Sequence, residues 1–108
     1  MRKEKAKTTF TIMAYRNGFA QMWEIEANNN TIIGSFTFFV ESGFIPSIKR
    51  EYSWSSMTEM NREISSSLKV FGRNNATIEL FMKKPLNTVT SKYERKILET
   101  LCRVLGVF

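Results

Sequence analysis

With 108 residues, the chain is long enough for one folded domain and too short for two separate hydrophobic cores. Its 43% hydrophobic content indicates a folded protein, and its formal net charge of +6 favours acidic partners. It has no histidine and no aspartate, which excludes Ser-His-Asp and Cys-His catalysis and the common zinc sites. We therefore expect a protein that is not an enzyme and that holds no metal or cofactor.

Nothing in the sequence indicates secretion or insertion into a membrane. The single cysteine, Cys102, cannot form an internal disulfide. The longest apolar runs, such as residues 36–40, are far shorter than the ~20 residues of a membrane span. The basic N-terminus lacks the apolar segment of a signal peptide. We therefore expect a cytoplasmic protein with no membrane contact, and no motif indicates a small-molecule substrate.

Residues 1–7 are basic and poor in apolar groups, so we expect a flexible arm followed by a single domain over residues 8–108. A β-hairpin begins this domain, because Asn17-Gly18 is the preferred sequence of a two-residue type I′ turn. The turn places Arg16 opposite Phe19. One face of the hairpin then carries Phe10, Ile12, Ala14, Trp23 and Ile25. The other face carries Thr9, Thr11, Met13, Tyr15, Ala20, Met22, Glu24 and Glu26.

Alternation and capping signals predict the remaining elements. Residues 31–40 alternate as a third strand, residues 47–53 are interpreted as a short edge strand, and residues 76–83 alternate as a later strand. Ser56 with Glu59, and Ser91 with Glu94, are capping boxes that begin two helices. The apolar stripes of these helices are Met57, Met60, Ile64, Leu68 and Phe71, and then Tyr93, Ile97, Leu98, Leu101, Val104 and Leu105.

This order predicts an α+β fold, a two-layer sandwich in which two helices cover one face of a mostly antiparallel sheet. The order is β-β-β-(β)-α-β-α, and the fourth strand is in parentheses because Gly43 and Pro46 interrupt its pattern. If the third strand and the last strand run parallel, we expect the first helix to join them as a right-handed crossover.

The uncovered face of this sheet presents large apolar side chains to solvent. They are Tyr15, Met22, Ile33, Phe39 and Phe81. Because interfaces favour aromatic residues and methionine, we expect this face to bind a protein partner or to form a homodimer. The alternative is that residues 44–54 fold back and cover it. Base stacking on this face is disfavoured, since Glu24, Glu26 and Glu79 share it and repel phosphates.

Cations are concentrated in the arm, at the end of the last strand and on one side of the last helix. They are Arg2, Lys3, Lys5, Lys7, Lys83, Lys84, Lys92, Arg95, Lys96 and Arg103. A basic surface attracts phosphates largely without reading base sequence, so we expect a small module that binds nucleic acid electrostatically. One alternative is a protein-binding modulator, an inhibitor or accessory subunit, that acts through the aromatic sheet face. Another is a plain solvated helix in which Glu99 pairs with Arg95 and Arg103.

Overall fold

The computed structural model describes residues 8–28, 31–40, 45–72, 75–84 and 91–105, so the arm at 1–7 lies outside the described residues. The described chain forms seven elements. They are β1 (Thr9–Arg16), β2 (Phe19–Asn28), β3 (Thr31–Val40), β4 (Ile45–Trp54), α1 (Met57–Phe71), β5 (Thr77–Lys83) and α2 (Lys92–Leu105). The predicted α+β class and order of elements are confirmed.

The five strands form one antiparallel sheet in the order β4-β3-β2-β1-β5. The hairpin of β1 and β2 has the predicted register, with Arg16 opposite Phe19 and Ile12 opposite Trp23. Asn17 and Gly18 have φ angles of 50° and 82°, the positive values that a type I′ turn requires. Local turn chemistry therefore sets the pairing of the two central strands.

The fourth strand is longer than predicted and lies at the edge of the sheet. β4 pairs with β3 along its length, so the interpretation in which this segment folds over the open face is wrong for residues 45–54. Residue 44 lies outside the described residues. Pro46 is tolerated because β4 is an edge strand and its pairing shifts register between Phe38 and Phe39.

The first helix crosses the whole sheet, from β4 at one edge to β5 at the other. β5 pairs antiparallel with β1, and β3 runs in the same direction as β1, so β3 and β5 are antiparallel to each other. A right-handed crossover between the third and last strands was expected only if these strands were parallel, so this expectation does not apply. The cause is β4, which reverses the chain once more before α1 begins.

Both helices pack on one face of the sheet, as predicted. The apolar hairpin face contributes Phe10, Ile12, Ala14, Trp23 and Ile25, all of them buried. The helices contribute Met60, Ile64, Leu68, Ile97, Leu101, Val104 and Leu105 to the same cluster. The two layers therefore meet in a single core between the helices and one side of the strands.

The predicted caps define where the helices begin and end. Ser56 Oγ accepts from the Glu59 amide at 3.2 Å, while the Glu59 carboxylate reaches back to the amide of Ser55 at 3.1 Å. Gly72, with φ of 92°, ends α1 by donating its N–H to the carbonyl oxygens of Leu68 and Lys69. Neither helix in the described part of the chain has the length and apolar character needed to cross a membrane.

Gly34 is required where the ring of Trp54 folds over β3. It lies opposite Tyr52 on β4, and a Cβ added at this position would overlap the six-membered ring of Trp54. We expect Gly34→Ala to lower the free energy of unfolding by about 1–3 kcal/mol through overpacking. Urea denaturation measures this change, with Ser35→Ala on the opposite sheet face as the control. Equal stability of the two variants would contradict this packing of Trp54.

Candidate functional site

The outer face of α2 carries the predicted cations of the last helix. Lys92, Arg95, Lys96 and Arg103 are all exposed, and we call this set the basic face of α2. The buried stripe of the helix faces the sheet, so helical periodicity directs these four side chains to solvent. They extend over about 16 Å of helix axis.

The basic face of α2 is not neutralised within the described residues. No ion pair or side-chain hydrogen bond joins its four cations to another described group. Glu99, the partner considered in the alternative of a solvated helix, is exposed one turn from Arg95 and from Arg103, so the face carries four cations and one anion. The other carboxylate of α2 is engaged elsewhere, because Glu94 Oε1 accepts from the amide of Ser91 at 3.1 Å. The surface therefore presents an excess of positive charge to solvent.

The other predicted cations do not share this face. Lys83 lies opposite Thr9 and is exposed on the sheet face that the helices leave open, so it points away from α2. Lys84 is half-buried and takes part in an interaction within the protein. The four cations of the arm, Arg2, Lys3, Lys5 and Lys7, lie outside the described residues.

The open sheet face has an apolar end near the hairpin turn. Tyr15 of β1, Ala20 of β2 and Phe39 of β3 are in register in one row, and Met22, Met13 and Thr37 form the next row. Ala20 is buried although α1 and α2 both lie on the opposite face of the sheet. We call Tyr15, Met22 and Phe39 the apolar patch of the open face.

Two predicted interface residues are separated from this patch. Ile33 lies at the far end of β3, opposite Glu26, with Ser35 and Thr37 between it and Phe39. Phe81 is 52% exposed on the edge strand β5, opposite Thr11. The sequence predicted the correct face for all five residues, but the structure brings only three of them together.

The far end of the open face is acidic. Glu24 and Glu26 line a shallow depression of about 220 Å³ with Thr9, Ile33 and Ser35. Glu51 of β4 lies opposite Ser35 and adds a third carboxylate to this end. No group of three or more metal-ligating side chains comes together among the residues that the structure describes. Carboxylates at this end of the sheet disfavour contact with phosphates. Glu79, which was predicted to act with Glu24 and Glu26, lies instead on β5 opposite Met13.

A cleft on the helix side of the sheet was not predicted. It has a volume of about 660 Å³ and lies between α1 and strands β2 to β4. Phe36 lies opposite Trp23 and Phe38 opposite Gln21, so both are on the covered face, but α1 leaves them half-buried. One feature of the sequence indicated this cleft. Alternation along β4 places the cation Arg50 on the same face as Tyr52 and Trp54, which is the face that the helices cover.

Comparisons with models of protein families, with curated proteins and with solved structures find no match to this chain. The fold defines an α+β protein with a five-stranded antiparallel sheet and two helices. The chemistry of its surfaces is therefore the basis for assigning a function.

Proposed function

We propose that this protein is a small, non-enzymatic module that binds nucleic acid electrostatically through the basic face of α2. The observation that carries the proposal is the set of four exposed cations without carboxylate partners in the described part of the chain. They are presented by a helix whose opposite face is anchored in the core. A phosphate backbone therefore meets cations whose helix is already held in place by the core.

The expected binding mode is contact with phosphates and not with base edges. When lysine and arginine neutralise phosphates, condensed counterions are released from the nucleic acid. The binding free energy gained from this release does not depend on base sequence. The arm at 1–7 adds Arg2, Lys3, Lys5 and Lys7 in this proposal. Lys83 and Lys84 do not share the basic face of α2, so they add to the net positive charge of the protein and not to this contact. We propose the cytoplasm as the compartment in which this binding takes place.

Fluorescence anisotropy of a labelled duplex and of a labelled single strand tests this proposal. Four phosphate contacts predict that log K falls with log salt concentration with a slope of about −3.6 on duplex DNA, and contacts from the arm make the slope steeper. The affinity should differ little between base sequences of equal length. Absence of binding to both probes at about 25 mM salt, where such contacts are strongest, would eliminate the proposal.

We also propose a protein-binding role for the apolar patch of the open face, with a second copy of this chain as the partner to test. Tyr15 is 38% exposed and lies in the same row as Phe39, and no described element covers either residue. Aromatic side chains in such a cluster are typical of interface cores. A modulator of another protein, an inhibitor or accessory subunit, would use the same patch.

Replacing both Tyr15 and Phe39 by serine is expected to weaken self-association at least tenfold, because it removes the two aromatic anchors of the patch. Sedimentation equilibrium measures the dimer dissociation constant of both proteins. Val70→Ser is the control, since Val70 is 87% exposed on α1 and is not part of the sheet face. A wild-type protein that remains monomeric at millimolar concentration, or an equal effect of the control, would contradict this role.

A further inference from the structure

The cleft beneath α1 has the size of a small-molecule site. Its volume of about 660 Å³ falls in the range of about 300–1,000 Å³ that ligand pockets occupy. It belongs to the helix side of the sheet and shares no residue with the basic face of α2. Its origin is the small size of the α1 side chains above it, because Ser66 and Ser67 line it where larger residues would fill the space.

Aromatic rings form much of the wall of this cleft. Phe36 and Phe38 line its floor on β3, Tyr52 lies on β4, and Phe71 lies at the end of α1. Phe38 is held from two sides, by a stacked contact with Phe19 at 5.8 Å and an edge contact with Phe71 at 6.5 Å between ring centroids. A flat aromatic group is therefore the shape that this wall favours.

Gln21 places a fixed hydrogen-bond donor in the cleft. The residue is only 3% exposed, and its Oε1 accepts from Trp23 Nε1 at 2.9 Å. Because an indole N–H can only donate, this contact fixes which end of the amide is oxygen. The side chain lines the cleft, and its Oε1 also accepts from Ser67 Oγ at 3.4 Å, which leaves the nitrogen end of the amide for a group in the cleft. The amide nitrogen can donate to water in the cleft or to an acceptor atom of a ligand that displaces this water.

Two guanidinium groups give the cleft a positive charge. Arg50 is exposed on β4 directly opposite Phe36, and Arg16 lies at the hairpin end. Arg16 Nη1 donates to the carbonyl oxygen of Phe71 at 2.8 Å, while its buried Nε has no hydrogen-bond partner among the described residues. Glu63 is the single carboxylate among the lining residues. Because the Nε of Arg16 is buried and its Nη1 is already bound, the exposed guanidinium of Arg50 is the one that an anionic oxygen in the cleft can pair with.

We propose that this cleft binds a nucleotide. The base lies against the ring of Phe36 or Phe38 and accepts a hydrogen bond from the Gln21 amide. The phosphate lies beside Arg50, which is directly opposite Phe36. A ligand with a flat aromatic group and an anion fits this cleft better than a purely apolar ligand, which would displace water from the Gln21 amide and the Arg50 guanidinium without replacing its hydrogen bonds.

Isothermal titration calorimetry with the four ribonucleoside monophosphates tests this site. Arg50→Glu reverses the charge at the cleft, and Lys49→Glu makes the same change on the neighbouring exposed residue, which points to the other face of the sheet. We expect Arg50→Glu to lower the affinity at least tenfold and Lys49→Glu to change it less than twofold. Ser66→Trp, which fills the cleft from an exposed helix position, should abolish binding.

The nucleotide could be a free molecule or one unit of a single strand. Comparing the affinity of a single-stranded oligonucleotide of about six nucleotides with that of the monophosphates distinguishes the two. Tighter binding of the oligonucleotide, lost in Arg50→Glu, supports the site with a strand as its source. Equal affinities, both lost in Arg50→Glu, support the site with a free nucleotide as its source.

Three results would overturn the proposal. They are no binding of any monophosphate at millimolar concentration, equal losses in Arg50→Glu and Lys49→Glu, and retained binding in Ser66→Trp. An oligonucleotide affinity that depends on α2 cations and not on Arg50 would support the basic face of α2 as the surface that binds a strand, and the monophosphate titrations would then decide the cleft alone.

Discussion

Replacing Phe10 by alanine is expected to lower the free energy of unfolding by about 3–5 kcal/mol, whereas the same change at Phe81 should cost less than about 1 kcal/mol. The two phenylalanines lie on adjacent strands of the sheet, but they point to opposite faces. Phe10 has no exposed surface and packs beneath the helices, while Phe81 is 52% exposed on the open face. The difference follows from the asymmetry of the two-layer fold.

Guanidinium denaturation, followed by the fluorescence of Trp23 and Trp54, measures both variants. Phe81→Ala serves as the matched control, because it removes the same atoms from a neighbouring strand. Similar losses of stability in the two variants would show that the open face is covered, and they would contradict a sandwich with both helices on one side.

Replacing Arg95, Lys96 and Arg103 by glutamine is expected to lower the affinity for duplex DNA on the order of a thousandfold at about 50 mM salt. Affinity scales with salt concentration to the power of about −0.9 for each phosphate contact, so three lost contacts reduce the salt slope by about 2.7. Stability should change little, since all three side chains are exposed.

The matched control replaces Lys49, Arg62 and Lys69 by glutamine, which removes the same charge from exposed positions on β4 and α1. This control should keep most of the affinity and of the salt slope, because these residues lie outside the basic face of α2. Equal losses in both triple variants would indicate attraction by net charge alone. They would argue against a specific surface on α2.

The central hairpin was predictable because its determinants are local. Asn17-Gly18 requires positive φ at both turn positions, and this turn fixed the register that the structure shows. Once the register is known, alternation assigns each side chain to a face, which is why the core positions of β1 and β2 were correct. The capping boxes at Ser56 and Ser91 marked the helix starts for the same reason.

The fourth strand was only partly predictable, because its sequence pattern is interrupted. Gly43 and Pro46 are unfavourable in a central strand, and nothing local shows that this strand lies at the edge, where Pro46 is tolerated. The position of β5 beside β1 is also non-local. It depends on α1 crossing the sheet, which no turn residue encodes.

A candidate site could be predicted from the sequence when all its residues belong to one helix or strand. The basic face of α2 is such a site, because the helical spacing of its cations is visible in the sequence. The apolar patch depends on which strands are neighbours, so Ile33 and Phe81 were grouped with residues that lie elsewhere on the sheet. The cleft depends on how far α1 covers β3 and β4, and only the placement of Arg50 on the covered face indicated it.

Amide chemical shifts recorded while a duplex DNA of about 12 base pairs is added at low salt test the nucleic-acid proposal most directly. Paired bases cannot enter the cleft, so the duplex reports on electrostatic surfaces alone. We expect shifts concentrated in residues 92–103 and a return to the free positions as salt is raised. Shifts centred on Tyr15 and Phe39, or no shifts at all, would contradict binding through the basic face of α2.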